Sequence, residues 1–504
     1  MNLIKKVQLP LQTINLVVGF MVWVLISSLL PFIREDISIA AEHVAIVTAV
    51  PVVLGSVLRI PLGYYANVIG ARLIFLLSFI VLLFPVYYIS IASSMLDLII
   101  AGTFLGIGGA IFSVGVTSLP KYYPKEKHGL INGIYGMGNA GTAVTTFAAP
   151  VLAAKFGWTT TVQFYLVLLL AFALLNFFLG DRKEEKEKTK IVEQIKGVYK
   201  NEKLWLFSLF YFVTFGSFVA FTVFLPSFLV DFYALDKVDA GMRTAGFIAL
   251  ATLIRPVGGW LADKFQPLLI LMGVFAGITI AAIILAFTPA IHMYTVGALL
   301  IAAAAGIGNG VIFKLVPYYF QKQAGTANGI VSMMGGLGGF FPPLLLSAIF
   351  SITGSYSIGF MAFSQFALVS LLLVLWMYYM DRINLSQDVF NSANQGIIVT
   401  DQTGKIVSVN NAFVKITGYD EKDAIGERAN ILSSGNQDKE LFAEMWKQIT
   451  SKGEWHGEIL NKHKNGEEYK QAMSISAVYD ASGEVMRYVG TLADMKDKQS
   501  VKTT

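Results

Sequence analysis

The chain has 504 residues, of which 55% are hydrophobic and only 14% are charged, and its mean hydropathy is +0.62. This composition is too apolar for a soluble protein of this length and indicates a membrane protein. Because the chain contains no cysteine, disulfides, thiol redox chemistry and cysteine-ligated zinc or iron–sulfur centres are excluded, and we predict no metal site. The net charge of +5 does not indicate nucleic-acid binding, since most basic residues flank apolar segments.

Hydropathy predicts twelve membrane-spanning helices, because each apolar stretch is close to the roughly 20 residues that cross a bilayer. The first stretch follows MNLIKKVQLPLQ and has no small-residue cleavage site after it, so we expect a span rather than a cleaved signal peptide. The predicted spans are residues 13–33, 44–64, 72–90, 96–119, 129–154, 160–180, 204–230, 243–262, 268–288, 292–320, 326–351 and 357–380.

A change in charge density predicts two domains. Residues 384–504 carry fourteen lysines and arginines, whereas those of the longer preceding part lie mostly in short loops. We therefore expect a membrane domain over residues 1–383 and a soluble domain over residues 384–504. The membrane domain would consist of two six-helix halves, residues 1–180 and 204–383, joined by the charged central loop 181–203.

The basic residues of the loops predict the orientation in the membrane, because cytoplasmic loops carry an excess of lysine and arginine. With a cytoplasmic amino terminus, seventeen basic residues lie in cytoplasmic segments and only four in external loops. Those four are Arg34, Lys155, Lys237 and Arg243. We therefore expect a multi-pass protein of the cell membrane with both termini and the soluble domain in the cytoplasm.

Two arginines lie deep in predicted spans, and no acidic residue accompanies them. Arg59 lies in the second span and Arg255 in the eighth, 196 residues further on. The same offset relates Gly63 to Gly259, Gly129 to Gly325, Asn132 to Asn328, and Gly133 to Gly329, so the halves are repeats of one unit. A charge at membrane depth costs about 2.5–3.5 kcal/mol on insertion scales and is usually functional. We expect an anionic substrate to supply the missing counter-charge.

The fifth and eleventh spans are rich in glycine. Glycine at every third or fourth position lets another helix backbone approach closely, as in tight packing or at a sliding contact of a transporter. We assign this packing or gating role to Gly136, Gly138, Gly335 and Gly338. Asn139 differs from its neighbours, because an amide among glycines has no packing role and can donate a hydrogen bond to an oxyanion.

These segments resemble the nitrate signatures of the nitrate/nitrite porter family, the NarK-type branch of the major facilitator superfamily. The matching residues are GIGGAIFSVGVTSLPKYYPKEKHG with the fifth span, and GIGNGVIFKLVPYYF with the eleventh. Two six-span halves with parallel repeats and a long basic central loop are also the layout of the major facilitator fold. The resemblance covers about residues 10–380 and implies a nitrate and nitrite transporter in the lipid bilayer, without a cofactor for transport.

The resemblance also implies the binding site. The two arginines would hold the anion, aromatic rings of Phe112, Tyr211 and Phe215 would lie above and below it, and Asn139 would add a polar contact. Guanidinium is planar with a fork of donors, which matches a flat oxyanion in a way that lysine does not. Lys314, in the tenth span, is expected to extend to the cytoplasmic face instead, with a role at the inner gate as the alternative.

The mode of transport is predicted from an absence in the sequence. Asp97, at the very start of the fourth span, is the one Asp or Glu within the predicted span limits, and none lies at membrane depth, whereas proton-driven transporters usually carry titratable groups at depth. This favours nitrate/nitrite exchange, with proton symport or a porter for another small anion, such as formate or oxalate, as alternatives. A receptor that binds the anion and signals through the soluble domain is a further alternative. No catalytic constellation is present, so we do not expect an enzyme.

The soluble domain alternates between strand and helix patterns. GIIVTDQTGKIVSVN predicts two strands, two helical segments follow, and the rest alternates like three antiparallel strands with Asn-Gly and Ser-Gly turns. The order of these strands and helices, and the sequences of the segments themselves, resemble a PAS domain. The fold class predicted for the chain is therefore an all-α polytopic membrane protein of twelve helices plus a C-terminal α+β PAS domain.

The ligand of the PAS domain is less defined. A photosensing flavin adduct needs a cysteine, and residues 427–452 contain no histidine for haem. Non-covalent FAD is an alternative, because Trp455 in GEWHGEILNKHKNGE resembles redox-sensing flavin PAS modules. We favour an empty domain that mediates homodimer or cytoplasmic partner contacts and regulates transport.

Overall fold

The structure, a computed structural model, describes residues 3–39, 41–186, 190–235, 237–287, 289–436, 438–480 and 482–493. The chain forms two compact units, Met1–Trp376 and Met377–Thr504. The first is helical and the second contains a five-stranded sheet.

Among the described residues, the first half of the helical unit contains ten α-helices. They are α1 (Leu3–Trp23), α2 (Leu25–Asp36), α3 (Ala41–Val57), α4 (Arg59–Val68), α5 (Ala71–Ser90), α6 (Met95–Ala110), α7 (Phe112–Ser118), α8 (His128–Gly136), α9 (Ala140–Phe156) and α10 (Trp158–Leu179). Several are pieces of one predicted span, because single residues or short 3-10 turns interrupt the first, second, fourth and fifth spans.

The second half follows a short amphipathic helix in the central loop, α11 (Ile191–Val198). Its helices are α12 (Glu202–Tyr233), α13 (Lys237–Leu253), α14 (Arg255–Lys264), α15 (Pro267–Ala286), α16 (Ile291–Tyr319), α17 (Ala324–Thr353) and α18 (Ser357–Ser392). Within the described ranges, nine helical segments are long and apolar enough to cross a membrane. The count of twelve spans is consistent with these helices and stays a prediction.

The interruptions of the helices coincide with the predicted site. Arg59 is the first residue of α4, Phe112 the first of α7 and Arg255 the first of α14, while Asn139 immediately precedes α9. Discontinuous helices inside a transporter expose backbone groups that bind substrate or ions. The helices are therefore interrupted at or next to four residues that the sequence analysis assigns to the binding site.

Glycines bring the two halves into close contact at one end of the unit, which carries Lys125 and Lys264 and is called the basic end. A Cβ atom on Gly63 would lie 2.6 Å from the carbonyl oxygen of Gly325, and one on Gly259 would overlap that of Gly129. Because only glycine permits such backbone approach, the repeat related by 196 residues forms two equivalent cross-half contacts.

The second unit contains the end of α18 and the strands β1 (Gly396–Asp401), β2 (Ile406–Val409), β3 (Glu454–Lys462), β4 (Glu468–Tyr479) and β5 (Val485–Ala493). The strands form an antiparallel sheet in the order β2-β1-β5-β4-β3. Helices α19 (Asn411–Thr417), α20 (Glu421–Ala424) and α21 (Lys439–Lys452) lie between β2 and β3 in the chain. The predicted order of two strands, helices and three strands is confirmed.

The predicted domain boundary at 383/384 falls inside α18. This helix runs without interruption from Ser357 to Ser392, and its last sixteen residues belong to the second compact unit. The side-chain amide of Asn410 donates to the carbonyls of Phe390 and Gln395, which fixes the end of the helix within that unit.

Candidate functional site: a buried pair of arginines

The structure brings Arg59 and Arg255 together in the interior of the helical unit, beside the same two aromatic rings. Both are almost inaccessible to solvent, with relative exposures of 0% and 2%. Each guanidinium lies over the rings of both Phe112 and Phe215, with carbon-to-centroid distances between 5.2 and 5.9 Å. In the described part of the chain, neither arginine has a carboxylate within salt-bridge distance. Two like charges therefore share one low-dielectric pocket.

Each arginine hydrogen-bonds to the backbone of the opposite half. Arg59 donates to the carbonyl of Ser332 (2.6 Å), and Arg255 donates to the carbonyl of Gly136 (3.4 Å). These two acceptors are themselves 196 residues apart, so the contacts are equivalent in the repeat. Arg255 also donates to the hydroxyl of Tyr211 (3.4 Å).

Several guanidinium donors are left without a partner in the described structure: Nε and Nη2 of Arg59 and Nε of Arg255. An unsatisfied buried donor costs about 1–3 kcal/mol, and more if charged. Such a cluster of charged donors is a binding site for an anion with several acceptor oxygens, because the anion satisfies the donors and the charge together.

Three rings form a slot beside the arginines. Tyr211 and Phe215 are stacked 5.0 Å apart at 10°, and the Phe112 ring faces both, with centroids 6.3 Å from each and interplanar angles of 16° and 23°. An atom layer inserted between two rings makes one van der Waals contact with each, so the ring planes must be about 7–8 Å apart. A planar ion one atom thick therefore fits after a small widening, whereas a tetrahedral ion needs more.

Asn139 is 1% exposed, and neither atom of its side-chain amide has a partner in the described structure. It lies three residues after Gly136, whose carbonyl binds Arg255. The amide is therefore available to a ligand near the arginine pair, as the resemblance implies.

The four glycines of the predicted packing group occupy different surroundings. A Cβ atom on Gly136 would lie 2.7 Å from Nε of Arg255, and one on Gly335 would overlap the ring of Tyr211, so both make room for side chains of the site. Gly138 packs against Leu16, and Gly338 packs against the backbone of α12, each within its own half.

Sequence reasoning missed two further rings. Phe313 of α16 packs edge-on against Phe112 and Tyr211, at 5.2 and 4.8 Å. Tyr135 lies 5.9 Å from Phe112 and donates its hydroxyl to the carbonyl of Ile111. Both residues belong to the signature segments, and this position was the one sequence signal that could have pointed to them. Nothing else in the sequence distinguishes them from the many other aromatic residues.

At the basic end, Lys314 does not extend freely to the surface. Its ammonium lies 2.7 Å from a carboxylate oxygen of Asp263 and also donates to the carbonyl of Lys125 in the other half. Asp263 accepts hydrogen bonds from the backbone N–H groups of Gly129 and Leu130, also in the other half. The alternative of a gate residue fits Lys314 better, since its contacts join the two halves.

In the second unit, Trp455 is a core residue. It is 4% exposed and clusters with Met445, Ile449 and Ile459. These contacts explain its burial without a ligand, and the alternative of a flavin contact stays a prediction.

Comparison with known proteins gives consistent assignments for both units. Residues 13–343 match the Major Facilitator Superfamily, and residues 394–497 match the PAS domain. A protein of Bacillus subtilis named "nitrite extrusion protein" is 64% identical over 378 residues, which cover 75% of this chain and 96% of that protein. A "probable nitrate transporter NarT" of Staphylococcus epidermidis is 55% identical over 373 residues, covering 74% of this chain and 96% of that protein.

Solved structures agree at the level of the fold. The human organic anion transporter MFSD10 superposes with a TM-score of 0.63 at 14% identity and covers 73% of this chain and 99% of its own. The Escherichia coli fucose:proton symporter FucP gives 0.60 at 14% identity, covering 74% and 98%. At this identity the likeness shows the fold alone.

The fold and the matched segments define a polytopic membrane transporter with a C-terminal PAS domain, and the predicted fold class is confirmed apart from its count of twelve spans. Within that class, the chain belongs to the major facilitator superfamily and to its nitrate/nitrite porter family. It is a transporter and not an enzyme, as predicted.

Proposed function

We propose that this chain exchanges nitrate and nitrite across the cell membrane, holding one anion at a time between Arg59 and Arg255. The observation that carries the proposal is the buried pair of guanidinium groups with unpaired donors, without a carboxylate among their described neighbours. The names of the two bacterial relatives support nitrate and nitrite as substrates.

The dimensions of the slot favour these two ions. Nitrate and nitrite are flat, and a small widening of the 6.3 Å spacing between Phe112 and Phe215 would admit one planar layer. The arginines approach from opposite halves, so an ion bound to both links the halves of the transporter. The Asn139 amide supplies a further donor to an anion oxygen.

Exchange follows from the charges of the site. Each half contributes one buried arginine, and an empty site keeps two like charges together with unsatisfied donors. A bound anion relieves both costs. Reorientation is then easier with an anion than without one, and such a carrier moves one anion only against another.

Counter-anion dependence tests this mode. In proteoliposomes loaded with nitrate, uptake of labelled nitrite should be about 10-fold or more faster than in empty vesicles, which corresponds to a barrier difference of about 1.4 kcal/mol. An imposed proton gradient alone should add little. Formate, oxalate and chloride inside the vesicle serve as a panel for selectivity. Concentrative uptake driven by a proton gradient without internal anion would instead establish symport.

We place the basic end in the cytoplasm, because lysine and arginine concentrate on that side of membrane proteins. The PAS domain follows the last span and shares this side, where it regulates the rate of exchange. The relatives support its separate role, since their match covers 96% of their own length and leaves a quarter of this chain unmatched.

Removal of the PAS domain tests the regulatory role. A chain that ends after Ser392 keeps α18 complete, and we expect it to insert and to exchange nitrate for nitrite with the same order of anions. The full chain should differ in rate, or in its response to the redox state of the medium. If the shortened chain inserts correctly but is inactive, the domain is not a dispensable regulator; if both chains behave alike in all conditions, it does not regulate.

A further inference from the structure

Two asparagines of the repeat reach across the boundary between the halves. Asn132 of α8 donates its side-chain amide to the carbonyl of Phe313 (2.9 Å), and Asn328 of α17 donates to the carbonyl of Val116 (3.3 Å). Both are buried, with 3% and 0% exposure. The asparagines are 196 residues apart and their acceptor residues 197, so two closely similar contacts run in opposite directions between the halves.

The two acceptor carbonyls share an unusual property. In a helix the carbonyl of residue i accepts from the N–H of residue i+4. For Phe313 that residue is Pro317, inside α16, and for Val116 it is Pro120, in the 3-10 turn after α7. Proline has no N–H. Each carbonyl therefore lacks its usual intrahelical donor, and the asparagine of the opposite half supplies one.

The residue after each asparagine is a glycine, and the backbone of the helix that begins with Arg255 or Arg59 packs closely against it. A Cβ atom on Gly133 would lie 2.7 Å from the carbonyl oxygen of Arg255, and one on Gly329 would lie 2.8 Å from that of Arg59. Each Asn-Gly pair thus makes two contacts with the other half. The asparagine hydrogen-bonds to the carbonyl that proline leaves without an intrahelical donor, and the glycine packs against the helix that begins with the binding arginine.

We propose that Asn132 and Asn328, with Pro317 and Pro120, form a reversible latch that keeps the basic end closed and couples it to the arginine pair. Separation of the halves breaks both amide contacts, and water then hydrates the freed carbonyls. The net loss per contact is small, because one hydrogen bond is exchanged for another. The latch therefore biases the closed state without locking it. This inference deepens the proposed transport function and rests on it only for the identity of the anion.

The test uses the absence of natural cysteine. Ser113, in α7 next to Phe112, is fully buried and lies beside the Gly63–Gly325 contact. A Ser113→Cys reporter in the full chain is labelled by a membrane-impermeant thiol reagent only when the halves separate at the basic end. In this background, Asn132→Ala and Asn328→Ala should each raise the labelling rate about fivefold, the effect of one net hydrogen bond.

A matched control removes a buried amide within one half. Asn15 and Asn176 exchange amide hydrogen bonds of 2.7 and 2.9 Å, and both belong to the first half. Asn15→Ala should leave the labelling rate unchanged. An equal rise in this variant would mean that the labelling reports general loosening, and unchanged rates in Asn132→Ala and Asn328→Ala would refute the latch directly.

The proline gives a second, independent variant. Pro317→Ala returns an N–H to the carbonyl of Phe313 from within α16, so the carbonyl depends less on Asn132. Labelling should rise in the same direction, and Asn132→Ala should add clearly less in the Pro317→Ala background than alone. Strictly additive effects would contradict the coupling of these two residues.

These measurements are made without nitrate, so they report the gate whatever the substrate is. Nitrite uptake into nitrate-loaded vesicles by the parent chain tests the transport proposal separately. If the parent chain exchanges anions but the asparagine variants show unchanged labelling, the latch is refuted and the transport function stands. If labelling rises in the variants but the parent chain exchanges no nitrate, the latch stands and the transport function is refuted.

Discussion

Arg59→Gln and Arg255→Gln should each weaken nitrate binding on the order of 100-fold or more and remove measurable exchange. Removal of one partner of a buried, hydrogen-bonded charge interaction costs about 2–5 kcal/mol. Both arginines are buried and carry unpaired donors, so neither can substitute for the other. Binding of nitrate to the purified variants, followed by exchange in proteoliposomes, measures the effect.

The lysine variants separate charge from geometry. Arg59→Lys and Arg255→Lys keep a cation but lose the planar fork that bonds a flat anion through two donors. They should therefore also lose about 10-fold or more in affinity, the worth of one charge-assisted hydrogen bond. Arg243→Gln is the control, because Arg243 lies outside the site and pairs with Asp239 on the same helix. Nitrate affinity close to wild type in Arg255→Gln would remove the arginine pair from the site.

The meeting of these arginines was predictable from the repeat. Two positions related by one offset in parallel repeats occupy equivalent places about a pseudo-two-fold axis, and charged residues at membrane depth face the interior. The structure places them in one pocket, as that reasoning requires. Phe112, Tyr211 and Phe215 entered through the family resemblance, since composition alone does not distinguish three rings among 37 phenylalanines and 21 tyrosines.

Backbone contacts between the halves were not predictable. The carbonyls of Ser332 and Gly136 bind the arginines only because α17 and α8 pass at a particular height. The same holds for Lys314. In the sequence, the polar residues Gln321 and Lys322 lie close after Lys314 and favour a side chain that extends to the surface. In the structure, Asp263 approaches from a different helix and pairs with it. Such tertiary proximity has no counterpart in local sequence.

The PAS domain was the easier prediction because its strands alternate and its turns carry Asn-Gly and Ser-Gly signals. Its start was harder to place. The polar sequence after Asp381 ends the membrane span in composition, yet the backbone remains helical up to Ser392. Hydropathy reports where the chain changes from apolar to polar residues. The backbone hydrogen bonds of the helix do not depend on that change, so the helix continues past it.

Gly259→Val should strongly slow exchange while nitrate still binds. A Cβ atom at this position would overlap the backbone of Gly129 in the opposite half, so the two halves could not approach as closely as they do here. Overpacking of this kind costs about 1–3 kcal/mol, and more where backbone must move. The basic end would then close poorly, and we expect the exchange rate to fall by about 10- to 100-fold.

The same substitution elsewhere provides the matched control. A Cβ atom on Gly273, in α15, would have no neighbour within 4 Å among the residues that the structure describes, so Gly273→Val should exchange anions at the parent rate. Nitrate binding by Gly259→Val should persist, because the arginine pair becomes accessible from the basic end when that end is held open. Normal exchange in Gly259→Val would mean that the halves never meet at this glycine during transport. Loss of binding together with exchange would mean that the closed basic end is itself required to assemble the anion site, since Arg255 begins the helix that carries Gly259.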